Sequence, residues 1–351
     1  MSELVIIIAD LYLPADEPAR SAQAAEFRAV PGIEFAARFG ERGRLGSGWR
    51  AWLARWFGRE DLAESSVARV AAASLAEGAV AAGGPGSTWI ATPVELTAGL
   101  ARVHLDHRGI VHLEPAEQAA LAAAFAAEFG SSGAQLVPLG DGTLLLNAAG
   151  VAPVATEEPA RCAGGELVLP RGAAAAPLLR LTSEIEMWLH GHPLNEARRA
   201  RGDPEVTALW LWGAAGRTIA PRPPGASGNG GARTAPLGFG SDAWLGGLLR
   251  LAGSAHRPLP AQPAELVAQL PGARAVLVTE LAREAADGGP WSRAAALAGL
   301  DRRLIRPVLA ALGAGSLERV TLVANDAALT VARHSAWKRW RRRRAGLGGF
   351  L

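Results

Sequence analysis

The segment at residues 4–9 (LVIIIA) is the feature that most constrains the fold of this chain. Every position is apolar and most are β-branched, a pattern typical of a strand that is buried on both faces in a parallel sheet. Asp10 follows this strand, and in open α/β sheets ligands and catalytic groups collect at the carboxyl ends of strands. Strand patterns at 275–279 and 319–324, separated by helical segments, repeat the rhythm near the end of the chain. The sequence therefore predicts an α/β core with a mostly parallel sheet.

The middle of the chain departs from this rhythm and predicts a smaller α+β domain. Short strand patterns near 102–113 and 135–146 surround a helix that opens at Glu114-Pro115, since proline suits a first helical turn. The 351 residues also exceed the roughly 250–300 that one core usually holds. The predicted boundaries are 1–86 and 176–332 for the core, 87–175 for the inserted domain, 221–240 for a mobile Gly/Pro-rich loop and 333–351 for a basic tail.

Composition predicts a soluble, cytoplasmic protein. With 49% apolar and 20% charged residues, the chain is neither disordered nor a disulfide scaffold, and its one cysteine, Cys162, suits a reducing compartment. The apolar run at 4–9 is much shorter than the roughly 18–20 residues of a membrane span. Glu3 stands where a secretory signal has basic residues, so neither a transmembrane segment nor a signal is expected.

The basic residues are concentrated at the carboxyl end. The chain has 36 basic and 33 acidic residues, and residues 333–344 (RHSAWKRWRRRR) hold seven of the basic ones, which leaves 29 against 33 elsewhere. Trp337 and Trp340 are three apart and would share a helix face. Three interpretations stay open: an anchor on anionic lipid, contact with nucleic-acid phosphates, or a final helix that docks its tryptophans on the core.

The densest group of polar residues lies between 187 and 217 and is a candidate site for a small phosphorylated or anionic ligand. Glycine at a strand end lets backbone N–H groups approach an anion, and arginines supply forked donors for phosphate or carboxylate. The alternative is a domain hinge with solvated arginines. The candidate ligand-binding residues are His190, His192, Asn195, Arg198, Arg199, Gly213 and Arg217.

A second group of histidines has two interpretations. His104 and Asp106 would share one face of a short strand, with His107 and His112 nearby, as in a metal pair. Two ligands without a third are more typical of an exposed strand edge.

Three segments in the order STWIATPVEL (87–96), LHGHPLNEARRARG (189–202) and LWLWGAAGR (209–217) resemble the bacterial family of regulatory proteins of RpfE type. That family is in turn similar to the archaeal-type cofactor-independent phosphoglycerate mutases, in which a His-Pro-x-Asn-x-x-Arg motif and a glycine-ended strand occur in the same order. The resemblance implies an alkaline-phosphatase-like α/β core with an inserted α+β domain.

The resemblance also implies a site with two divalent ions, held by Asp and His at strand ends, and a serine that receives the phosphoryl group. Asp10 fits the first metal ligand and Asp326 fits the start of a late Asp-His pair, but Ala327 stands where the histidine belongs. The segment 283–287 (REAAD) stands where Asp-Glu-x-x-His is expected, so an arginine replaces a carboxylate and the histidine is missing. Ser47 is the best candidate for the nucleophile.

These departures favour a degenerate, non-catalytic relative with a regulatory or ligand-binding role, for which no cofactor is expected. The alternative is a working phosphoglycerate mutase or related metal-dependent phosphotransferase that uses Mn²⁺ or Mg²⁺. A third hypothesis is an interaction protein that acts through its basic tail.

Overall fold

The computed structural model describes residues 2–13, 27, 30–75, 88–98, 103–140, 142–217, 219, 235–270, 272–284, 292–337, 347 and 350. Several predicted features lie outside these ranges: Ser87, Asp287, residues 221–234 of the Gly/Pro-rich loop, and residues 338–346, 348–349 and 351 of the basic tail.

The strands are β1 (Glu3–Ile8), β2 (Glu41–Arg44), β3 (Thr88–Ala98), β4 (Val103–Ile110), β5 (Ala134–Pro138), β6 (Leu144–Ala148), β7 (Gly165–Leu167), β8 (Ala208–Trp212), β9 (Leu237–Phe239), β10 (His256–Arg257), β11 (Arg274–Thr279), β12 (Arg319–Ala324) and β13 (Ala327–Ala332).

The helices are α1 (Pro31–Phe39), α2 (Gly48–Trp56), α3 (Glu60–Ala63), α4 (Val67–Ala72), α5 (Pro115–Phe129), α6 (Pro159–Cys162), α7 (Ala176–His190), α8 (Pro193–Arg201), α9 (Ala243–Ala252), α10 (Pro263–Ala268), α11 (Arg293–Leu300) and α12 (Arg306–Ala314). A π-helical turn, Asp301–Ile305, joins α11 to α12.

The chain forms two compact units. The first comprises Met1–Ala63, Pro223–Leu245 and Leu249–Leu351, and the second comprises Glu64–Arg222 and Gly246–Leu248.

The first unit is built on a sheet in the order β10-β9-β11-β1-β12-β13-β2. Strands β10, β9, β11, β1 and β12 run parallel; at one edge β13 pairs antiparallel with β12, and β2 pairs antiparallel with β13. In β1 every residue is buried, with Leu4 opposite both Ala275 and Val320. The prediction of an α/β protein with a parallel sheet is confirmed, because a strand in the middle of a sheet that is covered on both faces must be apolar throughout.

The second unit is built on an antiparallel sheet in the order β5-β6-β3-β4-β7, with β8 also paired to β3. Helices α5 and α7 supply Leu121, Phe125, Ile185 and Leu189 to the apolar cluster on one face of this sheet. The sheet and its helices form an α+β unit.

This second unit is larger than the predicted inserted domain at 87–175, which lies within it. Residues near 177–190 and 206–212 are predicted to belong to the α/β core, whereas in the structure α7 and β8 belong to the second unit. Strand β8 is buried at every position, and an antiparallel strand that is covered on both faces has the same sequence pattern as a parallel one.

Among the described helices, none is long and apolar enough to span a bilayer.

Candidate functional site

The carboxyl edge of the parallel sheet in the first unit is the candidate functional site. Asp10 follows β1, Ser241 follows β9, Glu280 follows β11, and the pair Asn325-Asp326 follows β12. Since β9, β11, β1 and β12 are neighbouring parallel strands, the ends of these strands meet at one edge.

Asp10 is held by the backbone of the segment that follows β11. Its Oδ1 atom accepts a hydrogen bond from the Leu281 N–H (2.7 Å) and its Oδ2 atom accepts one from the Ala282 N–H (2.9 Å). Burial, and next the negative charge of Glu280, raise the pKa of the Asp10 carboxyl to about 6, while these hydrogen bonds and Arg293 act in the opposite direction. Both carboxyl oxygens therefore stabilise a turn of the protein itself.

Two arginines bring positive charge to the same edge. The Arg293 guanidinium donates to the carbonyl oxygens of Asp10 (2.9 Å) and Tyr12 (3.3 Å). Arg283 donates from Nε to Glu280 (2.8 Å) and from Nη1 to the Ser241 hydroxyl (3.4 Å). Fixed cations thus lie beside the carboxylates at the end of the sheet.

Asp326 lies in the two-residue turn that connects β12 to β13. Asn325 and Asp326 have φ angles of 47° and 49°, the left-handed conformation that both central residues of a type I′ hairpin turn require. The Asp326 carbonyl accepts a hydrogen bond from the Leu45 N–H (2.7 Å). Asn and Asp tolerate this backbone conformation better than other residues with a side chain, so the turn geometry accounts for an Asn-Asp pair at these positions.

Asn325 ties three chain segments together at this edge. Its N–H donates to the Leu11 carbonyl (2.8 Å), its Oδ1 atom accepts from the Leu13 N–H (3.0 Å), and its Nδ2 atom donates to the Phe350 carbonyl (3.1 Å). The residue that precedes the predicted metal ligand therefore has a structural function.

The residues at this edge do not fit the two-ion site that the resemblance implies. Both oxygens of Asp10 accept backbone hydrogen bonds, Asp326 occupies a tight turn and Ala327 begins β13. Within the part of the chain that the structure describes, no three or more His, Cys, Asp or Glu side chains are grouped so that they could hold a metal ion. Arg283 and Arg293 would also repel a divalent cation.

Ser47 is exposed and precedes α2, where its side chain makes no capping hydrogen bond. It follows β2, the third strand from β1 in the sheet order, and a strand spacing of about 4.8 Å separates the two strands by about 14 Å. Ser47 thus follows the same edge of the sheet as Asp10 but three strands away, and Leu45, two residues before it, donates to the Asp326 carbonyl.

The polar cluster of 187–217 lies in the second unit, where its central residues support the local fold. Asn195 is buried; it donates to the carbonyls of Leu189 and Val206 (both 2.9 Å) and accepts from the Val206 N–H (2.8 Å). His192 caps α8, since its Nδ1 atom accepts from the Leu194 N–H (3.1 Å), and burial lowers its pKa. His190 is exposed at the end of α7.

The arginines of this cluster form ion pairs with carboxylates of the same unit. Arg198 is buried and pairs with Glu117 (2.7 Å), and Arg201 pairs with the other oxygen of Glu117 (2.6 Å). Arg199 forms two hydrogen bonds with Glu205 (2.9 and 2.7 Å) and Arg217 pairs with Glu64 (3.2 Å). The charges of the predicted phosphate-binding arginines are thus compensated within the protein.

The glycine loop after β8 is held by hydrogen bonds from the segment around Ser66. Gly213 has a φ angle of 74°, and its carbonyl accepts from the Ser66 hydroxyl (2.8 Å) and the Ala68 N–H (3.0 Å). A Cβ atom at Gly216 would lie 2.5 Å from the Ser66 backbone nitrogen. Glycine at position 216 is therefore required by a close approach of two chain segments.

Four residues with side chains in these contacts are not among those predicted from the sequence: Glu117, Arg293, Glu280 and Asn325. Glu117 carried a local signal, because it is the third residue of a helix that opens with proline, and it accepts from the Glu114 N–H (3.0 Å). Arg293 carried none, since its partners lie more than 280 residues away.

The described histidines of the second group lie on or after β4 in the second unit. His104 pairs with Glu166 across the β4–β7 ladder, and His112 follows β4.

No protein-family model matches this chain, and no curated protein matches it. Among solved structures, the PH0037 protein of Pyrococcus horikoshii is similar at 15% identity with a TM-score of 0.46, over 94% of this chain and 87% of that protein. A cofactor-independent phosphoglycerate mutase from Thermoplasma acidophilum DSM 1728 is similar at 13% identity with a TM-score of 0.34, over 98% of this chain and 96% of the mutase.

Proposed function

We propose that this chain is a non-catalytic, phosphoglycerate-mutase-like protein of the regulatory RpfE type, with an alkaline-phosphatase-like core, that acts in the cytoplasm by binding a ligand. The single observation that carries this proposal is the set of contacts that the Asp10 carboxylate makes. This candidate metal ligand uses both carboxyl oxygens to hold the backbone of Leu281 and Ala282, with Arg293 beside it.

The charge at the edge supports the same proposal. Phosphoryl transfer with two ions needs both of them to neutralise the attacking and leaving oxygens. Here Arg283 lies within hydrogen-bonding distance of Glu280 and Ser241. Because Arg283 and Arg293 lie beside the carboxylates of this edge, they disfavour a divalent cation there, so the arrangement favours a role without phosphoryl transfer.

The test is conversion of 3-phosphoglycerate to 2-phosphoglycerate by the purified full chain with added Mn²⁺, compared with Asp10→Ala. We expect no turnover above background for either protein, and no stoichiometric Mn²⁺ by elemental analysis of the dialysed sample. Turnover and bound metal that are both lost in Asp10→Ala, but kept in the control Glu128→Ala, which alters an exposed carboxylate, would overturn the proposal.

The second candidate function is an active phosphoglycerate mutase or related phosphotransferase. It is favoured by the pKa of Asp10, raised to about 6 by burial, because perturbed carboxyls at the ends of parallel strands are common in active sites. In this case Asp10 and Asp326 would be the metal ligands and Ser47 the nucleophile. A Ser47→Ala variant with unchanged turnover would exclude the serine from that role.

A separate proposal concerns the basic residues of 333–344, which we propose contact a polyanion, either anionic lipid or nucleic acid. The observation behind it is that residues before and after the basic residues 338–344 pack against the first unit. Residues Arg333–Trp337 form a 3₁₀ turn with Ser335 buried, and Leu347 and Phe350 are buried in the apolar core. Flotation with vesicles that contain phosphatidylserine, and filter binding to duplex DNA, would separate the two partners; binding to neither would reject both.

A further inference from the structure

The amino end of α8 is capped by an imidazole ring, whereas Ser, Thr, Asp or Asn is usual at this position. His192 has an extended backbone (φ −78°, ψ 134°), and its Nδ1 atom accepts a hydrogen bond from the Leu194 N–H at 3.1 Å. Because a backbone N–H can only donate, Nδ1 has no proton in the folded protein. The proton of the neutral ring is therefore on Nε2.

The other groups of the first turn of α8 do not depend on the ring. Pro193 occupies the first helical position and has no N–H, and the Asn195 N–H donates to the His192 carbonyl (2.9 Å). The Leu194 N–H, in contrast, donates to a group that titrates near neutral pH. This cap therefore exists only while the ring is neutral.

The surroundings of His192 are aromatic. Its ring centroid lies 4.6 Å from that of Trp188, which also contacts Phe129 of α5. The charged or titratable side chains within about two helical turns of His192 on α7 and α8, and beside Phe129 on α5, are Glu186, His190, Glu196, Arg198, Arg199 and Glu128. Burial alone lowers the pKa of His192, so no neighbouring carboxylate holds a proton on the ring.

The first turn of α8 also fixes the connection between α7 and β8. Asn195, three residues after the capping residue, bonds to the carbonyl of Leu189 near the end of α7 and to both backbone groups of Val206, just before β8. The Asn195 side chain starts from the turn that His192 caps. Loosening of this turn would therefore weaken the contacts of α8 with the two elements on either side of it.

We propose that His192 is a pH-sensitive switch in the second unit, in which protonation of Nδ1 displaces the ring from its capping position and loosens the first turn of α8. A protonated Nδ1 cannot accept from Leu194, and the amino end of the helix dipole repels the new positive charge. Because the folded ring has a pKa below its ordinary value of 6.5, the stabilisation by the cap is complete above pH 6.5 and is lost as the pH falls through the lowered pKa. The inference does not depend on the function proposed above.

The first test observes the ring itself. Long-range ¹H–¹⁵N NMR of the full chain distinguishes the two neutral tautomers and follows the seven histidines through a pH titration, and the signal that is missing from His192→Asn identifies His192. We expect the Nε2–H tautomer in the neutral ring and a titration midpoint below 6.5. A proton on Nδ1 of the neutral ring would overturn the proposal, since that atom could not accept from Leu194.

The second test measures the helix by hydrogen exchange of the full chain, corrected for the pH dependence of the intrinsic exchange rate. His192→Asn keeps a capping side chain that does not titrate, His192→Ala removes the cap, and His190→Asn alters an exposed histidine as the matched control. Relative to His192→Asn, we expect the protection of α8 in the parent to fall about fivefold or more between about pH 7.5 and pH 5. The protection of His192→Ala should be low at both pH values.

The variants and the rest of the molecule separate a local switch from other causes. The same pH dependence in the parent and in His192→Asn would overturn the proposal, and so would loss of the pH dependence in His190→Asn. The amides of β1, in the first unit, should keep their protection over the same range. If their protection falls together with that of α8, the protein unfolds globally in acid and the local switch is rejected.

Discussion

At the scale of single residues, the raised pKa of Asp10 predicts how the stability of the protein depends on pH. Because the folded pKa, about 6, lies above the ordinary aspartate pKa of 3.8, the folded state binds the proton more tightly than the unfolded state. The stability contributed by this group is therefore complete below pH 3.8 and is lost as the pH rises through about 6. At neutral pH the ionised carboxyl costs on the order of 2–3 kcal/mol.

Asp10→Asn removes this titration. We expect the free energy of unfolding of the parent, relative to Asp10→Asn, to fall between about pH 4 and pH 7 as measured by urea denaturation. A difference between the two proteins that does not change with pH would contradict the assignment of the raised pKa to Asp10.

Asn195 makes a second prediction at this scale. Its carboxamide forms three hydrogen bonds with buried backbone groups of Leu189 and Val206. We expect Asn195→Ala to lower the free energy of unfolding by about 2–4 kcal/mol, because the substitution leaves these backbone groups without partners. His190→Ala, at an exposed helix end, is the control, and we expect no measurable change for it.

At the scale of secondary-structure elements, Glu117 joins α5 to α8. It accepts from Arg198, which is buried, and from Arg201. We expect Glu117→Leu to destabilise the protein by about 3–5 kcal/mol, because it leaves the Arg198 charge buried and unpaired. The double variant with Arg198→Leu should recover part of this loss, and urea denaturation of all four proteins measures the coupling. Additive effects would show that the pair is not coupled.

Substitutions in the hairpin between β12 and β13 test whether Asp326 is a turn residue or a metal ligand. Glycine is favoured at the second central position of a type I′ turn, so we expect Asp326→Gly to change stability by less than about 1 kcal/mol. Asp326→Val should cost about 1–2 kcal/mol, because a β-branched residue is strained at a positive φ. If a bound metal or an activity is found and is lost in Asp326→Gly while the fold is retained, the turn interpretation is insufficient.

At the scale of the whole molecule, the carboxyl-terminal segment contributes basic residues and also apolar side chains that pack in the core. Leu347 and Phe350 are 0% and 2% exposed and pack in the core of the first unit, and Asn325 binds the Phe350 carbonyl. We expect removal of residues 338–351 to destabilise the protein by more than about 4 kcal/mol, since two large apolar side chains leave the core. Replacing the basic residues of 338–344 with glutamine should leave the thermal unfolding temperature nearly unchanged. A truncated chain as stable as the parent would contradict the role of Leu347 and Phe350 in the core. Tests of polyanion binding should use the glutamine variant, because its fold is expected to be retained.

The sequence by itself determined the elements with strong local patterns. Residues 4–9 predicted a buried parallel strand because only a strand covered on both faces needs an unbroken β-branched apolar run, and Glu114-Pro115 predicted the start of α5. It also identified Asp10 as a residue at the carboxyl edge of the sheet, since this follows from the end of β1 alone.

Only the tertiary structure decided what the polar residues contact. Arg198 meets Glu117 across 81 residues and Asp10 meets Leu281 across 271, and spacing along the chain carries no signal for such contacts. The same holds for β8, whose apolar pattern is shared by parallel and antiparallel buried strands, and which pairs antiparallel with β3. Periodicity records which side chains are buried, whereas pairing between distant segments depends on how the whole chain folds back on itself.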